Sequence, residues 1–175
     1  MMQRLKRAWT GIVAFWSEEE PATSLAIVRI GLALCWLYDM LHIYDLGLVV
    51  PLFAPEEVGG LSHAYLRDPL PLWARLVPQG VESAAALHGI MTLTSLSLLL
   101  GFFTRTSAAV LLVAWLQWIQ LLPTGDRGID QLSRHMLVLL MFAPSGHAMA
   151  VDAWRRCGSW WGDGTPVPSW GSKLI

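Results

Sequence analysis

The sequence has few charged residues. Only 14% of its 175 residues are Asp, Glu, Lys or Arg, whereas 54% are hydrophobic. A soluble domain holds roughly a quarter charged residues, so this chain lacks what a surface exposed to water on all sides requires. Its formal net charge of −1 at pH 7 also excludes the basic excess that a phosphate backbone demands, and we expect no nucleic-acid partner.

Cysteine and lysine are nearly absent as well. Cys35 and Cys157 are too few for a disulfide framework or a paired metal site, and we expect two free thiols. The lysines are Lys6 and Lys173 alone. Glycine-rich nucleotide loops, the HExxH zinc motif and a Cys–His pair at nucleophile spacing are missing. These absences predict no catalytic residue, no metal and no resident cofactor, and they leave room for a bound lipid, quinone or pigment.

Long apolar runs and tryptophan are what the sequence has instead. A helix needs roughly 17–25 residues to cross the hydrocarbon layer of a bilayer. The ten Trp residues also indicate a membrane protein, because Trp concentrates where the bilayer meets water. We therefore predict an all-α, polytopic membrane protein with four transmembrane helices at about 24–44, 84–103, 107–122 and 132–148. Pro144 and Gly146 interrupt the last stretch, where a re-entrant segment is the alternative.

The remaining segments are amphipathic or loop-like. Residues 1–21 are the predicted N-terminal interfacial segment, in which a basic start and apolar residues at helical spacing over 3–16 predict an amphipathic helix. Residues 22–153 form the predicted membrane domain, and its Pro-rich segment 45–83 is an extracytoplasmic loop. Residues 154–175 are a cytoplasmic tail rich in Trp, Gly and Pro.

The distribution of Lys and Arg predicts the orientation. Seven of these residues lie outside the spans on the side of the N-terminus, against three on the other side. By the positive-inside rule we expect both termini to be cytoplasmic, in a bacterial inner membrane, with the first span retained as a signal anchor.

Ionisable residues inside the predicted spans are the candidate site residues. Charged groups in a membrane usually face a bundle interior or a pathway. Antiparallel threading brings five of them to a similar depth near the outer side, and we predict that Asp39 pairs with an arginine of the fourth span there. This polar cluster comprises Asp39, His42, His88, Arg134 and His135, with Arg134 as the expected partner of Asp39. Either a salt bridge that joins two helices or a functional centre would explain it.

Arg29 is a separate case near the cytoplasmic end of the first span. It lies about 15 Å from Asp39 along one helix, too far for direct pairing. We predict an inner-side ion pair with Asp152, just after the fourth span. Embedded histidines can also ligate the metal of a haem or chlorophyll, although an interhelical hydrogen bond is the commoner role.

Several phrases of the sequence resemble the HTTM group, the vitamin K-dependent γ-carboxylase-like membrane domain. Its turn phrase is shared with the DoxX group. The matching phrases run in the same order across about residues 22–175: 24–31 (SLAIVRIG) followed by Asp39, 53–61 (FAPEEVGGL), 100–105 (LGFFTR), and 128–153, which passes from GIDQL through FAPSG to AVDA. The resemblance implies the fold of the N-terminal half of that domain.

The resemblance does not imply that this chain has the carboxylase activity of that group. Proteins of that group continue into helices bearing a lysine regarded as the catalytic base, and they add a soluble substrate region. Neither Lys6 nor Lys173 lies where a buried base of lowered pKa would form. We therefore expect a non-catalytic membrane subunit with a scaffolding, accessory or assembly role, whose partners are the lipid bilayer and other membrane-protein subunits. The alternatives are half of a split carboxylase-like enzyme with a quinone or lipid co-substrate, and a small-solute or proton pathway.

Overall fold

The computed structural model describes residues 2–54, 56–61, 81–121 and 127–174, and most of this chain is helical. The all-α prediction is therefore confirmed. The helices are α1 (Met2–Trp16), α2 (Thr23–Asp45), α3 (Val49–Phe53), α4 (Val81–Leu100), α5 (Thr104–Leu121), α6 (Gly128–Phe142), α7 (Val151–Cys157) and α8 (Trp170–Leu174). A 3-10 turn covers Glu56–Val58, and the two short strands are β1 (Glu19–Glu20) and β2 (Val167–Pro168).

Helices α2, α4, α5 and α6 form an antiparallel bundle, in which α4 packs against α2 and α5, and α5 against α6. The turn between α4 and α5 has three residues, which forces these neighbours to run in opposite directions. Each helix contributes fully or nearly fully buried side chains to one core, among them Ala33, Met40, Met91, Leu111 and Leu140. The bundle therefore has two ends, one near Arg29 and one near Asp39.

Two of the described helices, α2 and α4, are long and apolar enough to cross a membrane. The prediction of four such helices is wrong in this respect. Helix α6 has 15 residues and is about 22 Å long, against a hydrocarbon layer of about 30 Å. It ends at Phe142 because Pro144 follows, and residues 143–150 form turns. Helix α5 has 18 residues, and its polar first turn and Gln117 lower its hydropathy.

The chain on either side of the bundle folds back onto the Arg29 end. Strands β1 and β2 pair antiparallel, with Glu20 opposite Val167. Val167 is 2% exposed and belongs to a small apolar cluster with Leu25 and Ala143. The predicted tail at 154–175 is thus partly packed against the bundle, and its predicted start falls within α7. Of the predicted outer loop at 45–83, residues 62–80 lie outside the described part of the chain.

Helix α1 spans almost the same residues as the predicted amphipathic helix. The side chains from Trp9 to Trp16 are all exposed, and Trp9 is 67% exposed. The start of the chain is held to the C-terminal segment by Lys173, whose ammonium contacts the Glu18 carboxylate at 2.6 Å and lies over the ring of Phe15. This contact fixes the end of α1 and leaves its apolar face open.

Candidate functional site

The turn from α4 to α5 is built from the phrase that the sequence singled out. Gly101 adopts a positive φ of 67°, a conformation that a side chain disfavours. A methyl group there would also lie 2.4 Å from the Cβ of Ala150 and 3.0 Å from Nη1 of Arg29. The carbonyl of Gly101 accepts a hydrogen bond from the backbone N–H of Asp152 at 3.0 Å. Glycine is therefore required where the turn meets both α2 and α7.

Arg29 is fully buried beneath this turn. Its guanidinium donates to the backbone carbonyls of Ser145, at 2.7 Å, Ala148, at 3.4 Å, and Met149. These carbonyls belong to the segment after α6, which is neither helix nor strand and so lacks a regular pattern of backbone hydrogen bonds to satisfy them. Arg29 thus supplies the donors that this buried backbone needs.

Asp152 is also at this end, but its carboxylate serves a different purpose. It accepts from the backbone N–H of Phe103 at 2.9 Å, and from the backbone N–H and hydroxyl of Thr104 at 2.8 and 2.7 Å. This arrangement caps the start of α5 with a carboxylate from α7. Asp152 still stabilises the charge of Arg29 electrostatically. The predicted partners are thus neighbours that each bind backbone groups.

A second polar cluster lies at the opposite end, where α6 begins. Arg127 precedes α6, and its Nη2 lies 3.7 Å from the Asp39 carboxylate, while its Nε donates to Asp130 at 3.1 Å. The hydrogen bonds that Arg127 donates to the Asp130 carboxylate raise the pKa of Arg127 above its ordinary value. Asp130 also accepts from the backbone N–H of Arg127 at 2.9 Å, which caps the helix. The ion pair joins the start of α6 to the outer half of α2.

This end holds a cavity of about 350 Å³ with apolar walls and a charged mouth. Trp36, Trp115 and Trp118 form much of the wall, and Asp39, His42, Arg127 and Asp130 are also among the residues that line it. The rings of Trp36 and Trp115 meet edge to face, with centroids 4.4 Å apart. A cavity of this size, with few polar groups at its edge, is of the kind that holds a small amphipathic molecule.

The five predicted cluster residues do not converge on one point. Asp39 and His42 line the cavity, and His42 is exposed and stacks on Tyr38. His88 is buried, with its Nε2 2.9 Å from the carbonyl of Met40, so it joins α4 to α2. His135 is exposed, with its Nδ1 2.6 Å from the carbonyl of Gln131 on its own helix.

Arg127, which is not among the predicted cluster residues, forms an ion pair with Asp39. Arg134 is half-buried and lies seven residues into α6, about 10 Å further along the helix axis. Arg127 is one of the three basic residues that the predicted topology places on the outer side, and neither Arg127 nor Asp130 is among the predicted site residues. An acidic residue three positions after a helix start is a capping signal, and Asp130 could have been found by it.

The chemistry available at both ends is that of hydrogen bonding and ion pairing. Within the described residues, no group of three His, Cys, Asp or Glu side chains is placed to hold a metal ion. Among those residues, both cysteines are unpaired and exposed, as expected from their number. Ligation of a haem or chlorophyll metal by a single histidine of the cluster is a different arrangement and stays an alternative to the hydrogen-bonding role.

Comparison with other proteins adds no further information about the two ends of the bundle. No model of a known protein family, no curated protein and no solved structure matches the chain. The resemblance to the HTTM group therefore rests on the quoted residues alone.

Proposed function

We propose that this chain is a multi-pass membrane protein that acts as a non-catalytic accessory or assembly subunit of a larger membrane complex. The observation that carries the proposal is how its buried polar groups are used. Arg29 and His88 bond to backbone carbonyls of other segments, and Asp152 caps a helix start. Groups used in this way hold helices together and are not free to act on a substrate.

The outward faces of the bundle support a membrane location. Ile27, Tyr38 and Leu93 are between 63% and 69% exposed, and they belong to the two helices that are long and apolar enough to span a bilayer. Large apolar areas on a monomeric soluble protein are rare and mark contact with a membrane or another protein. Lipid tails and neighbouring subunits would both cover these faces. The orientation with cytoplasmic termini follows from the distribution of Lys and Arg.

A crosslinking experiment in native membranes tests the proposal. A photoreactive phenylalanine analogue at Leu93, 69% exposed, should give discrete crosslinks to other subunits. The same analogue at Leu98, which is fully buried on the same helix, is the matched control and should give none. Gentle detergent extraction followed by mass spectrometry should then recover the same partners in fixed ratio. Migration as a lone monomer, with no crosslink from Leu93, would contradict the subunit role.

The cavity at the Asp39 end favours a second candidate, half of a split carboxylase-like enzyme. Its wall of three indole rings suits the ring of a quinone or the chain of a lipid co-substrate, and Arg127 at its mouth offers hydrogen-bond donors. The lysine base would have to come from another polypeptide. Recovery of one partner with further membrane helices and an embedded lysine, together with carboxylase activity of the pair, would establish this alternative.

A further inference from the structure

A cavity of about 390 Å³ opens at the Arg29 end of the bundle, and the carboxylate cap of α5 forms part of its lining. Arg105 and Arg156 line it from α5 and α7, and His147 lines it from the turn after α6. Gly146 forms part of its floor, where a methyl group would lie 2.6 Å from the hydroxyl of Thr104. Two guanidinium groups and one imidazole thus line one space.

The acidic groups near this cavity are already engaged. Asp152 gives its carboxylate to the start of α5, and Asp163 accepts from the backbone N–H and hydroxyl of Thr165 at 3.1 and 2.6 Å. Arg156 is held by a 3.2 Å hydrogen bond to the carbonyl of His147, which uses one of its five donors. Among the described residues, Nδ1 of His147 has no hydrogen-bond partner. The cavity therefore offers donors and positive charge with few acceptors left to satisfy them.

An apolar groove continues from the cavity along the outside of α4 and α5. It has a volume of about 450 Å³, and it shares Phe103 and Thr106 with the cavity. Its far end is formed by Thr94 and Val110, which lie six or seven residues from the turn, about 10 Å along the helices. The groove thus points from the charged cavity toward the middle of the bundle.

We propose that the cavity binds the phosphate of an anionic phospholipid, with an acyl chain of that lipid in the groove between α4 and α5. The assignment rests on the membrane location proposed above. A phosphate accepts several charge-assisted hydrogen bonds at once, and arginine is well suited to donate them. The groove distinguishes a lipid from free phosphate, because only a lipid has a chain to fill it. The cytoplasmic leaflet, which this end would face, is the leaflet that attracts basic segments through its anionic lipids.

Lipid titration of the purified full chain tests the site. Native mass spectrometry in a mild detergent would compare phosphatidylglycerol with phosphatidylcholine, and inorganic phosphate would be the competitor. We expect phosphatidylglycerol to bind the tighter, and Arg105→Gln or Arg156→Gln each to weaken it roughly tenfold. Arg127→Gln is the matched control, because it removes the same charge at the opposite end of the bundle.

A second variant separates the two sources of phosphate. Val110→Trp fills the groove at a position that is 39% exposed, so the fold should tolerate it, and it should weaken lipid binding while inorganic phosphate still binds. Equal affinity for both lipids, or an equal effect of Arg127→Gln, would overturn the site. Undiminished lipid binding by Val110→Trp would overturn the groove. A chain released from membranes by alkaline carbonate would overturn the membrane location and the lipid site together.

Discussion

Replacing Arg29 by methionine should cost more stability than any other change of one charged residue in this bundle. Methionine keeps much of the apolar stem of arginine and removes the guanidinium. The carbonyls of Ser145, Ala148 and Met149 then lose their donor in a fully buried place. Water cannot replace that donor unless the segment after α6 opens.

The size of the loss can be worked from the contacts. A hydrogen bond to a charged group contributes about 1.5–3 kcal/mol, and Arg29 makes two short ones and one of 3.4 Å. Removal of the charge also removes its desolvation cost, which offsets part of the loss. We expect a net destabilisation of about 3–5 kcal/mol, or a fall in Tm of about 10 °C for a chain of this length. Arg29→Lys should recover only part of it, because an ammonium on a flexible stem cannot match the planar fork.

Thermal unfolding in a mild detergent measures the loss of stability. Circular dichroism records the loss of helix, and size-exclusion chromatography measures the fraction of folded protein that is recovered. Arg127→Met is the matched control, because its side chain is 65% exposed and the Asp130 carboxylate keeps its hydrogen bond from the backbone N–H of residue 127, so the loss should be about 1 kcal/mol. If the Arg29 and Arg127 variants melted at the same temperature, the reading of Arg29 as the donor that holds this end together would be refuted.

Three further changes test the same end of the bundle. Asp152→Asn should lower stability by about 1–2 kcal/mol in thermal melts, because the amide cannot accept from both α5 N–H groups; unchanged melting would show that the cap is dispensable. Gly101→Ala should lower the melting temperature more than Asp152→Asn does, because φ at Gly101 is positive and Ala150 occupies the place of the methyl group. A Gly101→Ala variant as stable as the original chain would argue against the tight turn. Burial, followed by Arg156, holds the pKa of His147 below its ordinary value of 6.5. The unfolded chain therefore takes up a proton more readily than the folded one as pH falls below 6.5, so the melting temperature should decline there. His147→Gln should remove that part of the decline, and an unaltered pH profile would exclude His147 as its source.

The bounds of the bundle helices could be predicted from the sequence more closely than the contacts between those helices. The observed ends of α2, α4 and α5 lie within about three residues of the predicted ones, because a long apolar run between turn residues leaves little freedom. The end of α6 was placed six residues too late, at 148 instead of Phe142. Apolar composition continues through Ala143, but a helix cannot continue into the proline that follows it.

The partners of the charged residues could not be predicted in the same way. Depth along a helix follows from residue number, and this suffices to put Arg29 and Asp152 at one end and Asp39 at the other. The rotation of each helix, and the path of the backbone between helices, decide which groups meet. Arg29 bonds to carbonyls of the segment after α6, and the sequence of that segment does not specify its turn conformation. Asp39 meets Arg127 because α6 begins before its apolar run does.

The phrases that resemble the HTTM group converge on one joint of this structure. Arg29 comes from the first phrase, Gly101 and Thr104 from the turn phrase, and Ser145 and Asp152 from the last. These residues meet where α2, the α4–α5 turn and α7 come together. The shared fold that the resemblance implies stays a prediction, and a catalytic role would have to be supported by residues outside this joint.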